Sequence, residues 1–114
     1  MSTDRHKMDS AIRSILKIEE YTKDHNYDSF SNSPITVDAC LMQFVNLGER
    51  LTNISNNLKT KLSHLPISNV RQLRNAIAHS YDSIKNDIIW NTIKTEIPKL
   101  KAELQTIIES LNAE

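Results

Sequence analysis

The sequence predicts an all-α domain, an up-and-down bundle of four to five helices. Three observations carry that expectation. One glycine and three prolines in 114 residues leave too few tight turns for many short strands. Apolar residues recur at every third and fourth position over long stretches, the spacing of one helix face. The length suits a single domain, 1–114, and is too short for two ordinary ones. A domain of this size has a modest stability margin, which a dimer interface would improve.

Residues 4 to about 25 read as the first helix, with Met8, Ala11, Ile12, Ile15 and Ile18 as its apolar face. Ser2, Thr3 or Asp4 can cap its start. Tyr27 to Ser33, rich in Ser and Asn, reads as a loop. Ser33-Pro34 opens a second helix, because serine caps exposed amides and proline is tolerated in the first turn. Its stripe runs Val37, Cys40, Leu41, Phe44, Gly48, Leu51, Ile54, Leu58. Gly48 at its middle costs about 1 kcal/mol against alanine, so a closely packed neighbour is expected there. A turn spans Asn56 to Ile67. Ser68 or Asn69 then caps a third helix that runs to about His79, with Val70, Leu73 and Ile77 inward. Ser80 to Lys85 is a connector. Asn86 or Asp87 starts the last helical region, whose face is Ile88, Ile93, Ile97, Leu100, Leu104, Ile107 and Leu111. Pro98 is expected to kink or divide it, since proline lacks a backbone donor and crowds the preceding turn.

Net charge is zero, so the whole-chain field does not select a partner. The distribution is more informative. No Asp or Glu occurs from Arg50 to Tyr81, while Arg50, Lys59, Lys61, Arg71 and Arg74 do, beside His64 and His79. Lys59, Lys61 and Arg71 are candidate RNA-backbone contacts; a solvated basic face is the plainer alternative. Cys40 is the one cysteine, so no internal disulfide forms, which fits a reducing, cytoplasmic setting. No apolar run is long enough to span a bilayer, and the polar start is no signal peptide. Cys40, His25, His64 and His79 have no metal-ligand spacing, so neither metal nor cofactor is expected.

Chemistry concentrates in Arg71-Gln-Leu-Arg-Asn-Ala-Ile-Ala-His79-Ser-Tyr81. Arginine presents a fixed fork of donors suited to phosphate oxygens, and histidine moves a proton near neutral pH. On a helix Arg74 and His79 lie about 140° apart and share no face, but a long arginine and an end-of-helix histidine could meet over the helix terminus, and two copies across a dimer axis could complete the site more easily than one. Asn75 shares a face with His79 and could orient it or bind a phosphate oxygen. Glu49 could hold a helix-three arginine, or be a solvated surface acid. A lone histidine near a helix end is more often a surface group, and a lone tyrosine such as Tyr81 is more often packing.

The pattern R-N-x-x-A-H-x-Y, then I-x-W, then P-x-L, is carried by Arg74, Asn75, Ala78, His79, Tyr81, Ile88, Trp90, Pro98 and Leu100. With the Gly48-Glu49 pair it resembles the HEPN superfamily, and more narrowly the HepT-like toxins of bacterial toxin–antitoxin pairs. That resemblance implies a homodimeric helical bundle acting as a metal-independent RNase, with Arg74 and His79 catalytic. It also implies an antitoxin of nucleotidyltransferase fold that can transfer AMP to Tyr81. The family often has tryptophan after the proline before helix three, where this chain has Ile67. The competing expectation is a non-catalytic helical subunit that binds nucleotide or scaffolds a nucleotidyltransferase.

Overall fold

The computed structural model describes residues 2–62 and 67–113, and all regular structure among them is helical. Helix α1 (Ser2–Thr22) places Met8, Ala11, Ile15 and Ile18 fully inside, as their spacing predicts. It stops three residues before the expected end. Thr22 turns its hydroxyl back to the Ile18 carbonyl (2.8 Å), and Asn26 begins a new helix instead of extending the old one. The Tyr27–Ser33 stretch is therefore not simply a loop. Helix α2 (Tyr27–Ser31) is held by a reciprocal cap: Asn26 Oδ1 accepts from the Ser29 amide (2.9 Å), and Ser29 Oγ accepts from the Asn26 amide (3.0 Å). Its Phe30 is fully buried.

Helix α3 (Pro34–Thr52) opens on Pro34 as expected, though the Ser33 hydroxyl bonds Thr36 (2.8 Å) and caps no amide. Val37, Cys40, Leu41, Phe44, Leu47 and Leu51 are buried along it. Burial pushes the Cys40 thiol up to about 12, so it is a packing group and not a nucleophile at neutral pH.

The long second stripe does not stay on one helix. It breaks at Asn53–Ser55, and the expected turn region contains helix α4 (Asn56–Lys61). Ser55 ends one run and starts the next because its side chain accepts from the Leu58 amide (3.3 Å). From α1, Asp4 accepts from both the Ser55 amide (2.9 Å) and hydroxyl (2.6 Å). The stripe looked continuous because Ile54 and Leu58 are both buried on either side of the break.

Helix α5 (Ile67–Ser80) turns Val70, Leu73 and Ile77 inward. The expected caps Ser68 and Asn69 have side chains outside the described residues, as do His64 and Pro66. A 3-10 turn, Tyr81–Ser83, leads to α6 (Asn86–Asn91). A π turn (Thr92–Glu96) then leads into α7 (Ile97–Ala113). That widened turn is where the Pro98 disturbance is absorbed. Pro98 cannot donate to the preceding turn, and the Ile97 amide reaches back five residues to the Thr92 carbonyl. Trp90 packs on Phe30 (ring centroids 5.0 Å apart) under the Lys94 ammonium (4.7 Å).

Helix α3 is the centre of the bundle. It packs on α1 at one side and α5 at the other, while α1 also holds α7 and α2 ties α3 to α6. Helix α5 and α6 face each other across a gap. An open groove of about 530 Å³ lies there, with Leu73 and Ala76 on one wall and Ile84, Ile88 and Thr92 on the other. No helix among the described residues is long and apolar enough to cross a membrane.

Candidate active site

The inward stripe of α5 fixes which residues face α3 and which face outward. Arg74 lies at the edge of that stripe, so its aliphatic stem crosses α3 over Gly48 and its guanidinium emerges beside Glu49. Arg74 Nη2 donates to Glu49 Oε1 at 2.7 Å, and Nη1 donates to Asn75 Oδ1 at 3.2 Å. Nε–H is buried and meets no acceptor. The fork is thus gripped from both helices: Glu49 holds it from α3, and Asn75 from α5.

Beside this fork is a cavity of about 290 Å³, lined by Glu49, Thr52, Asn53, Arg71, Arg74 and Asn75. Two guanidinium groups and three neutral polar groups surround one carboxylate, a donor set with the chemistry to bind an anion of phosphate size. All of these residues but Thr52 and Asn53 are candidates from the sequence, though there Asn75 is set beside His79 and Arg71 beside Lys59 and Lys61, and here both line the cavity with Arg74. The signal for Thr52 and Asn53 was present, since they follow Glu49 by three and four positions and share its helix face.

His79 is not in this cavity. It stands exposed in the last turn of α5, on the outward side, and none of the described residues hydrogen-bonds its ring. Among the described residues, the outer face of α5 is exposed at Arg71, Gln72, Asn75, Ala76, Ala78, His79 and Ser80. Lys59 and Lys61 lie apart on α4 and do not line the cavity. Tyr81 opens the 3-10 turn directly after α5, but its side chain lies outside the described residues. One chain therefore sets the arginine fork and the exposed imidazole about 140° apart around the same helix.

Three or more His, Cys, Asp or Glu side chains do not converge anywhere among the described residues. His25, one of the ring nitrogens considered for a metal, is engaged with Ser29 Oγ (2.9 Å) and Thr36 Oγ1 (3.5 Å).

Residues 11–107 match the family described as "Ribonuclease HepT-like". A Methanocaldococcus jannaschii protein named "Gamma-glutamylcyclotransferase and putative RNase" is 33% identical over 101 residues, which cover 89% of this chain and 46% of that one. A second protein of that organism, named "Putative RNase", is 30% identical over 94 residues, covering 82% of this chain and 81% of its own length. A Thermococcus cleftensis protein named "Probable ribonuclease HepT" is 25% identical over 100 residues, covering 88% and 91%. The chain thus spans about half the length of the first relative and most of the other two. No solved structure matches it.

Proposed function

The chain belongs to the HepT-like ribonuclease family, and from that premise we propose that it is a metal-independent endoribonuclease whose site is completed between two copies. The observation that carries this reading is the arginine fork gripped by Glu49 and Asn75, one helix face away from an unengaged His79. Such a pair suits general acid–base cleavage of a ribose phosphodiester. His79 takes the proton of a ribose 2′-hydroxyl, and the freed oxygen attacks the adjacent phosphorus. The bond from phosphorus to the 5′-oxygen breaks, and that oxygen takes a proton from solvent water while His79 returns its own to solvent, leaving a 2′,3′-cyclic phosphate and a 5′-hydroxyl. Arg74 faces the charge that gathers on the phosphoryl oxygens in the transition state. Arg71 holds a neighbouring phosphate, and Lys59 and Lys61 extend the contact along α4.

Arg74 and His79 of one copy diverge by about 140° around α5, so the account places them together by facing two α5 helices across a two-fold axis. Support for that arrangement comes from the exposed outer face of α5 and the groove beside it, which has apolar walls at Ala76 and Ile88. We further propose that the protein is the toxin of a toxin–antitoxin pair, restrained by a nucleotidyltransferase-fold antitoxin through AMP added to Tyr81. AMP there adds bulk and negative charge two residues from His79, which would repel an RNA phosphate.

The test is digestion of RNA with and without a chelator, beside His79→Ala. The expected result is chelator-resistant cleavage that leaves cyclic phosphate ends and is lost in the variant. RNA left whole by the wild-type protein would favour a non-catalytic scaffold or nucleotide-binding subunit.

A further inference from the structure

We infer that Gly48 is a positioning residue for RNA cleavage: the hydrogen in place of a side chain lets the Arg74 stem lie against α3 and so sets where its guanidinium stands. The inference rests on Arg74 being the phosphate ligand. Gly48 is the only glycine of the chain, and it stands inside the 19-residue helix α3. Its backbone has no positive φ, so conformational freedom does not require glycine here. Its position costs about 1 kcal/mol of helix stability against alanine.

The space around it does require glycine. A Cβ at position 48 would stand 2.7 Å from Arg74 Cβ and 2.9 Å from Arg74 Cγ, with the Val70 carbonyl oxygen at 3.6 Å. Two carbons pack best at about 3.5–4.0 Å, so the first two contacts cannot be kept. Arg74 Cβ is bonded to the α5 backbone and does not rotate away. A methyl at 48 must therefore push α5 off α3 or swing the arginine stem aside.

Either movement reaches the guanidinium. Its grips come from both helices, Glu49 on α3 and Asn75 on α5, so a change in their separation loosens at least one. The buried Nε–H is consistent with a stem lodged between the helices. Of the five N–H donors of an arginine, Glu49 and Asn75 take one each and Nε–H faces the interior, which leaves two for a ligand.

The experiment measures binding of uncleaved single-stranded RNA over a range of salt, with every variant built on His79→Ala. Arg74→Ala lowers the slope of log affinity against log salt by about 0.7, the share of one single-strand phosphate. Gly48→Ala lowers it by the same amount, and the double variant by no more than either. In cleavage by protein with His79 intact, Gly48→Ala slows the step by about 100-fold. A slope unchanged by Gly48→Ala but lowered by Arg74→Ala overturns the role of Gly48 alone. A slope unchanged by Arg74→Ala overturns the phosphate reading beneath it. Should Gly48→Ala not fold, the wild-type protein decides the matter by NMR. The Arg74 Nε–H resonance, identified by its loss in Arg74→Lys, exchanges slowly with water if the stem is lodged. Exchange as fast as in free arginine overturns the inference.

Discussion

Glu49 lies at the point where holding Arg74 and competing for it can be separated. Glu49→Gln keeps the shape and an oxygen acceptor but removes the charge. Stability should barely respond. The pair is 2.7 Å long, but its side chains are 32% and 45% exposed, so solvent screens it and its worth is under about 1 kcal/mol. For a domain of this size that is a fall in Tm of under about 4 °C. Cleavage should respond more clearly. Changing a charge-assisted hydrogen bond to a neutral one costs about 1 kcal/mol, or about 5-fold in rate. Glu49→Ala removes the acceptor altogether and should cost about 2 kcal/mol, near 30-fold. The assay is single-turnover cleavage with protein in saturating excess over RNA, with KM measured separately. The expected signature is a lower rate with KM unchanged or reduced, because the lost carboxylate no longer repels phosphate. Variants that cleave as fast as wild type, or faster, would show that Glu49 competes with RNA and does not hold the arginine.

Two further outcomes follow from other contacts. Asp4 ties α1 to the start of α4, and hydrogen bonds from the Ser55 side chain and amide hold its carboxyl below the ordinary 3.8. The stability this lends is present above the unfolded value and is lost as pH falls through the lower folded value. Asp4→Asn should therefore lower Tm slightly at neutral pH, and the difference should close in strong acid; a gap that persists there contradicts the linkage. Co-expression with a nucleotidyltransferase-fold antitoxin should raise the intact mass of the wild-type protein by one or more AMP units and leave Tyr81→Phe unmodified. A gain that persists in Tyr81→Phe places the acceptor elsewhere.

The apolar periodicity located every long helix, because burial of one face is what holds each of them in place. Met8, Ile15 and Ile18 on α1 and Leu100 and Leu104 on α7 are fully buried as their spacing requires. Periodicity did not reveal the short elements. Helix α2 depends on the Asn26–Ser29 cap, and the α3–α4 break depends on Asp4 reaching Ser55 from 51 residues away. Neither a local cap nor so distant a contact disturbs the three-four rhythm. In the candidate site, an arginine partner for Glu49 was legible from residue type and helix position, but Asn75, expected beside His79, instead bonds Arg74, its immediate neighbour. The identity of the group facing Gly48 was not legible. A glycine in mid-helix signals close packing, but only the placement of α5 against α3 shows that an arginine stem fills the space. Five positions on a helix set His79 about 140° from Arg74, but the expectation that the two meet over the helix terminus does not hold within one chain, where Arg74 is turned to Glu49 and Asn75.

That separation leads to the most direct measurement. Arg74→Ala and His79→Ala proteins are each prepared, assayed alone, then mixed under conditions that let subunits exchange. If catalysis pairs the arginine of one copy with the histidine of the other, each variant alone is inactive. The mixture then recovers about a quarter of the wild-type rate, because half the dimers are mixed and each holds one intact pair. A mixture as inactive as its components, with exchange confirmed, would contradict a site shared between two copies.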